Sequence, residues 1–317
     1  MNAPRDIRRV GSCNMLVSAI IPTYNRARTI ERAVNSVLGQ SWQPIEVIVV
    51  DDGSTDQTTN ILARYGDRIR LIRQKNQGPS AARNAGIMAA RGEIISFLDS
   101  DDSWLPDKIE RQVKLLQATE SQGVVCCVSN ARMEFLSGTR YSFAAASLHP
   151  RYEEGIWSNP AEILVTRFLF FNQVVAVRRA ALEETGYFRP GIMEDYDLAL
   201  RLSLVGPWAF IADPLVVWYE EKGDNLSRTH SPREIHERAL AILQDISGSS
   251  RWGPLLSDRL LRQRIRELER QILAQRLSGQ HGRLANCLAK CLLGYLRVQK
   301  RLQLDLRLWP SMVTQKA

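Results

Sequence analysis

Short apolar segments alternate with helix-like segments along the first hundred residues, and this alternation restricts the fold more than any other feature of the chain. Predicted strands cover Leu16–Pro22, Ile45–Val50, Ile69–Arg73 and Ile94–Leu98. Predicted helices cover Thr29–Leu38, Thr58–Tyr65 and Ala81–Arg91, with Thr29 as the N-cap of the first. Strands that alternate with helices build a parallel sheet with helices on both faces. The sequence therefore predicts an α/β fold.

Polar clusters follow three of these predicted strands. They are Thr23-Tyr24-Asn25, Asp51-Asp52 and Asp99-Ser100-Asp101-Asp102. Ligands of open α/β sheets bind outside the carboxyl ends of the strands, so we expect the three clusters to meet at one edge. A solvated acidic turn is the alternative interpretation of the last cluster. Because crowded carboxylates repel one another and Mg²⁺ or Mn²⁺ prefers oxygen ligands, three clusters on one edge favour a metal–diphosphate site.

The composition is that of an ordinary globular protein, with 317 residues of which 44% are hydrophobic and 24% are charged. No stretch approaches 18 uninterrupted apolar residues, so no transmembrane helix is expected. The arm of residues 1–14 lacks the apolar core of a secretory signal. Five cysteines form neither a disulfide framework nor paired CxxC clusters. These features predict a cytoplasmic protein.

The positive charge is concentrated at the end of the chain. Residues 233–317 contain 16 Lys and Arg against 7 Asp and Glu, whereas the rest of the chain is almost neutral. Basic amphipathic helices are predicted near Leu260–Leu273 and at Leu284–Leu304. Two interpretations remain open: a helical bundle that packs on the first part of the chain or on another subunit, and a peripheral contact with the inner face of a membrane. The basic residues are not interleaved with aromatic ones, which argues against a nucleic-acid partner.

Four motifs in order resemble family 2 glycosyltransferases. They are Pro22-Thr23-Tyr24-Asn25, Val49-Val50-Asp51-Asp52-Gly53-Ser54-Thr55-Asp56, Gly78-Pro79-Ser80-Ala81-Ala82-Arg83-Asn84 and Phe97-Leu98-Asp99-Ser100-Asp101-Asp102. The resemblance runs from about Val17 to about Ser227. It implies an inverting enzyme with the GT-A fold, a Rossmann-like mixed sheet flanked by helices. The expected domains are a GT-A domain over residues 15–231, with halves 15–115 and 116–231, and an all-helical extension over residues 232–317.

The resemblance also implies a nucleotide-sugar site in the first half. Its expected nucleotide ligands are Thr23, Tyr24, Asn25, Asp51, Asp52, Arg83, Asn84 and Asp99. The ring of Tyr24 can stack on the base, and Asp52 can accept from a ring N–H, which favours a UDP-sugar and allows a GDP-sugar. The guanidinium of Arg83 can bind phosphate or organise Asp52 or Asp99. Asp101 and Asp102 are the expected ligands of Mg²⁺ or Mn²⁺.

The second half is expected to bind the acceptor. Glu194-Asp195 is similar to the acidic pair of the family, whose Asp accepts the proton of the acceptor hydroxyl, so the resemblance makes Asp195 the general base. Capping of the following helix by these acids is the alternative interpretation. A strand is predicted at Phe168–Val177 beneath the acceptor cleft. A polar lid is expected at Glu220–Thr229, in which Lys222 could pair with the diphosphate.

The function expected from these residues is metal-assisted transfer of a sugar, with inversion, from a nucleotide diphosphate to an acceptor hydroxyl. The acceptor is expected to be a saccharide or lipid-linked saccharide of a surface polysaccharide or glycolipid. Two alternatives remain. A nucleotide-sugar-binding protein would lack turnover, and a nucleotidyltransferase would release pyrophosphate instead of a nucleoside diphosphate.

Overall fold

The computed structural model describes residues 15–169, 171–220, 230–256, 258–278 and 313–314. Eleven strands among these residues form one mixed sheet with the order β11-β8-β10-β6-β9-β4-β1-β2-β3, while β5 pairs with β10 and β7 pairs with β6. Helices flank the sheet, as the sequence predicted.

The first half alternates strands and helices. Its elements are β1 (Val17–Thr23), α1 (Ile30–Leu38), β2 (Ile45–Asp51), α2 (Thr58–Ala63), β3 (Arg70–Arg73), α3 (Pro79–Ala89) and β4 (Ile94–Phe97). Strands β4, β1, β2 and β3 are parallel, and the register places Thr23 opposite Asp51 and Ile20 opposite Phe97. Since β1, β2 and β4 are buried over most of their length, their apolar runs form the core. The three polar clusters therefore share one edge.

The second half continues the sheet on the other side of β4. Its elements are β5 (Ser103–Trp104), α4 (Lys108–Ala118), β6 (Cys126–Phe135), β7 (Gly138–Tyr141), α5 (Ser142–Ala145), β8 (Glu154–Trp157), α6 (Pro160–Thr166), β9 (Val175–Arg178), α7 (Arg179–Thr185), α8 (Glu194–Ser203) and β10 (Trp208–Tyr219). Strand β9 lies between β4 and β6 and is antiparallel to both, so it joins the two halves.

Two local predictions differ from the structure. The segment predicted as a strand at Phe168–Val177 becomes strand only in β9, after a 3₁₀ turn at Asn172–Val174. The side chains of Trp104 and Gln112 donate to the carbonyls of this turn, which removes those carbonyls from strand pairing. Thr29 precedes α1 as predicted, but its hydroxyl makes no capping bond. Instead, the backbone carbonyl of Thr29 accepts the first helical bonds.

The described residues of the C-terminal region form α9 (Pro232–Gly248), α10 (Asp258–Ser278) and a two-residue strand, β11 (Val313–Thr314). Because β11 pairs with β8, this region is mainly but not entirely helical, in contrast to the all-helical extension expected from the sequence. The predicted apolar face of α10 is confirmed in part: Leu261, Leu268 and Ile272 are buried, whereas Leu273, expected on the same face, is 50% exposed. The two helices contact each other, and α10 also contacts α6. The predicted helix Leu284–Leu304 and the arm 1–14 lie outside the described residues. Within the described part of the chain, no helix combines the length and apolarity needed to cross a bilayer.

Candidate functional site

The loop that follows β1 begins the site. Thr23 is buried at the end of the strand, its carbonyl accepts from the Asp52 amide at 2.8 Å, and its hydroxyl has no partner among the described residues. Tyr24, the residue expected to stack on the base, is 43% exposed. Asn25 adopts the left-handed conformation with φ 52°. Its Oδ1 accepts from the amides of Thr55 and Asp56 at 2.8 and 3.3 Å, so Asn25 joins this loop to the loop after β2.

The acidic pair after β2 is largely saturated by protein donors. Asp51 is fully buried, and its carboxylate accepts from the Ser54 amide at 2.9 Å and from the Thr59 hydroxyl at 2.8 Å. Asp52 accepts from the Gln74 side chain at 2.7 Å and from the amides of residues 77 and 78 at 2.9 and 2.8 Å. A carboxylate offers about four acceptor positions, so Asp52 retains about one for a ligand. Both acids hold the loops that surround the position expected for the nucleobase of the donor.

The acidic cluster after β4 contains three carboxylates in different environments. Asp99 is partly exposed and accepts from Arg83 Nη2 at 2.7 Å and from the side-chain amide of Gln173. The Asp101 side chain is 20% exposed, and its Oδ2 lies 3.6 Å from Arg26 Nε. Asp102 is fully buried, accepts from the Tyr219 amide at 3.3 Å, and its Oδ2 has no partner among the described residues. Burial, together with Asp101 and Asp99, raises the pKa of Asp102 well above its ordinary value.

Arg83 connects the acidic cluster to the second half of the chain. Its Nη2 donates to Asp99, and its Nη1 donates to Glu194 Oε1 at 2.8 Å. The guanidinium is buried and lies 5.3 Å above the ring centre of Phe188. Burial alone would lower the pKa of Arg83, but Asp99 and Glu194 reverse the effect and raise this pKa above its ordinary value. Arg83 thus organises Asp99, one of the two roles predicted for it.

Asp195 lies at the N-terminal end of α8, beside the end of this ion-pair chain. Met193, which precedes α8, has φ 60°, so the chain turns sharply before the two acids. Asp195 Oδ1 accepts from the Tyr196 amide at 2.8 Å. Burial raises the pKa of Asp195 to about 7, and the neighbouring Glu194 contributes to the increase. A carboxylate with this pKa can accept a proton near neutral pH.

Two further polar groups hold the loop before α8. Arg201 forms a buried ion pair with Asp197 at 2.7 Å and donates to the carbonyls of Thr185, Gly186 and Tyr187. The Asn84 side chain exchanges two hydrogen bonds with the backbone of Phe188, at 2.9 and 3.0 Å. Asn84, expected as a nucleotide ligand, therefore ties α3 to this loop.

Sequence reasoning missed three side chains that contact the acidic cluster. Gln173 donates to Asp99, Arg26 approaches Asp101, and Arg32 donates to the Asp101 carbonyl while its guanidinium lies 3.9 Å above the Tyr219 ring centre. Arg26 directly follows the Tyr24-Asn25 motif, so its position in the sequence could have indicated that it belongs to the site. No comparable signal marks Gln173, which lies 74 residues after Asp99. Lys222, in the expected lid, lies outside the described residues.

Comparison with known proteins identifies the family. The sequence model of Glycosyl transferase family 2 matches residues 18–186, which is more than half of the chain. The chain belongs to this family. Its relatives include an uncharacterized glycosyltransferase of Rickettsia felis, 30% identical over 222 residues, which cover 68% of this chain and 36% of the relative. Another is the succinoglycan biosynthesis protein ExoO of Rhizobium meliloti, 43% identical over 124 residues, 38% of this chain and 35% of the relative.

Two solved structures have the same fold as this chain. Residues 1–349 of S. aureus TarS, solved with UDP-GlcNAc, align with a TM-score of 0.62 at 19% identity, over 91% of this chain and 92% of that chain. The mannosyltransferase PcManGT of Pyrobaculum calidifontis, solved with GDP-Man and Mn²⁺, aligns with a TM-score of 0.56 at 20% identity, over 92% and 85% of the two chains. The predicted GT-A fold is confirmed. The chain spans about a third of the length of the curated relatives it matches.

The buried position of Arg83 predicts a large effect on stability. Arg83→Met keeps most of the side-chain volume but leaves Asp99 and Glu194 without their shared cation. Since breaking a buried ion pair from one side costs about 3–5 kcal/mol, we expect the free energy of unfolding to fall by about that amount in urea titrations.

The exposed pair of Arg64 and Glu31 provides the matched control for this change. Their side chains are 62% and 51% exposed, so Arg64→Met should lower the free energy of unfolding by less than about 1 kcal/mol. If the two substitutions lowered the free energy of unfolding equally, the buried ion pairs of Arg83 would stabilise the fold no more than the exposed pair does.

Proposed function

We propose that this protein transfers a sugar from a nucleoside diphosphate to an acceptor hydroxyl, with inversion of the anomeric configuration. One observation supports this proposal best. The buried side chain of Arg83 contacts both Asp99, in the acidic cluster, and Glu194, which directly precedes the expected general base Asp195. Inverting transfer needs a donor site and a single base on the opposite side of the sugar carbon. Residues 15–231 are proposed to perform the transfer, and residues 232–317 are proposed to be an extension of this domain.

The donor site is assigned to the edge formed by β1, β2 and β4. The exposed ring of Tyr24 would stack on the base, and the remaining acceptor position of Asp52 would receive a ring N–H. Uracil and guanine both present such an N–H, so the proposed donor is a UDP-sugar or a GDP-sugar, with UDP as the first choice. The TarS structure with UDP-GlcNAc and the PcManGT structure with GDP-Man support this donor class.

The residues around Asp101 and Asp102 fit a divalent cation. The Asp102 Oδ2 oxygen is buried and unpartnered among the described residues, and the carboxylate of Asp101 is accessible to solvent. No group of three or more His, Cys, Asp or Glu side chains within the described part of the chain could hold a metal by itself. The diphosphate and water would supply the other ligands, as is usual for Mg²⁺. When bound, the cation neutralises charge on the departing diphosphate.

Asp195 is proposed to accept the proton of the acceptor hydroxyl. Asp195 is the second residue of α8, after Glu194. The carboxylate of Glu194 is already bound to Arg83, so Asp195 is the member of the pair available to a substrate. The proposed acceptor is a saccharide or lipid-linked saccharide of a surface polysaccharide. The relationship to a succinoglycan biosynthesis protein supports that acceptor class.

Asp195→Asn tests the base directly. The amide keeps the size of the side chain but cannot accept the proton, so kcat should fall by about 10² to 10⁴-fold while the affinity for the nucleoside diphosphate persists. Product release and calorimetric binding would be measured on the same preparation. Asp213→Asn changes an exposed partner of Arg111 and should leave kcat unaltered. Near-normal turnover of Asp195→Asn would show that another group is the base.

The raised pKa of Asp195 predicts an acid limb in the pH–rate profile. The base acts in its deprotonated form, and its pKa of about 7 means that it gains a proton as the pH falls through neutrality. We expect kcat/KM to be constant at alkaline pH and to fall by about tenfold per pH unit below about pH 7. The profile of kcat/KM is the measurement, and the residual activity of Asp195→Asn should lack this limb. A limb two or more units lower would exclude Asp195.

Metal removal tests the acidic cluster. UDP and GDP binding would be measured by calorimetry with Mn²⁺, with Mg²⁺ and with EDTA, and we expect binding of one nucleotide to be lost with EDTA. Asp101→Asn and Asp102→Asn should each weaken the metal-dependent binding by at least about tenfold. Asp67→Asn, at an exposed acid of a 3₁₀ turn, should bind normally. Binding that is equally tight without metal would assign the cluster a different role.

A further inference from the structure

The buried side chain of Gln173 contacts the acidic cluster from the second half of the chain. Its Nε2 donates to Asp99 Oδ2, while Asp99 Oδ1 accepts from Arg83. Gln173 is only 5% exposed and lies in the 3₁₀ turn before β9. Both oxygens of Asp99 are therefore held by donors that belong to the protein.

The second donor matters because of the torsional freedom of aspartate. Rotation of the carboxylate about χ2 has broad, shallow minima, so one hydrogen bond does not fix its plane. With Arg83 on one oxygen and Gln173 on the other, the orientation of Asp99 is determined. Gln173 does this without adding charge, so the negative charge of the cluster is left for the cation.

The backbone around Gln173 is itself anchored. Trp104 Nε1 donates to the Gln173 carbonyl at 3.1 Å, and Gln112 Nε2 donates to the Val174 carbonyl at 2.7 Å. Both donors are buried, and Trp104 follows the acidic cluster by two residues. The side-chain amide is thus held in place before any substrate binds, which is the arrangement expected of an outer group that orients a functional carboxylate.

The contacts continue from Asp99 to the base. Arg83 bridges Asp99 and Glu194, and Glu194 is the first residue of α8, directly before Asp195. We propose that Gln173 is a positioning residue that fixes Asp99 and, through Arg83 and Glu194, the location of Asp195. This inference rests on the transferase function proposed above. Its consequence is that removing the Gln173 donor loosens the start of α8, to which Gln173 makes no hydrogen bond among the described residues.

Gln173→Met is the test variant, because methionine has a similar length and volume but no N–H donor. We expect kcat to fall by about 10- to 100-fold. Hydrogen exchange of the first turn of α8 should become faster. Gln173→Glu, which places a second carboxylate against Asp99 at the same length, should give a larger fall in kcat and is the second variant if Gln173→Met does not fold.

Gln40→Met is the matched control. Gln40 is also 5% exposed, and among the described residues its side chain bonds only the backbone of Ser36, Leu105 and Ile109. Its loss should lower the melting temperature without changing kcat or the exchange of α8. If Gln173→Met changed only the melting temperature, as the control does, the proposal would be overturned.

The measurements also separate this proposal from the proposed function. A wild-type protein that turns over no nucleotide sugar would contradict the transferase assignment. Hydrogen exchange of α8 needs no substrate, so it decides the role of Gln173 in either case. Unchanged exchange in a folded Gln173 variant would refute the positioning role.

Discussion

The site depends on one buried guanidinium. Arg83 contacts Asp99 at the end of β4 and Glu194 at the start of α8, two acids 95 residues apart in the chain. Burying a charge is costly unless it is paired and hydrogen-bonded, and here two carboxylates provide both. Because arginine stays protonated, the pairing holds over the whole pH range in which the carboxylates are ionised. Arg83 therefore links the sheet edge of the proposed donor site to α8, the helix that carries the expected general base, and these parts form one connected unit.

The polar residues near this unit fall into two groups according to their partners. Asn25, Asp52 and Asn84 hold loops together through bonds to the backbone, and Asp197 holds Arg201 against the loop before α8. These bonds satisfy buried polar groups that would otherwise be costly. They also place the loops around the donor edge before a ligand arrives.

Three further acids of the site lie in different environments. Asp102 has an unpartnered oxygen among the described residues, Asp101 is accessible to solvent, and Asp195 has a pKa raised by burial and by Glu194. Arg83 is already bound to two other carboxylates, so it does not fully compensate Asp195. When burial and neighbouring charges shift the pKa values of nearby carboxylates by different amounts, these carboxylates can serve different purposes.

The sequence alone determined the order of strands and helices over the first hundred residues, the edge at which the polar clusters meet, and most of the buried residues of α10. These properties follow from local periodicity and from the rule that parallel strands end on the same side. Only the tertiary structure decided the partners of each acid. Asp52 binds the amide of Gly78, Asp99 binds Gln173, and a predicted strand became the turn that holds Gln173. Hydrogen bonds depend on distance in space, and packing of Trp104 and Gln112 against this turn brings together residues that no sequence pattern links.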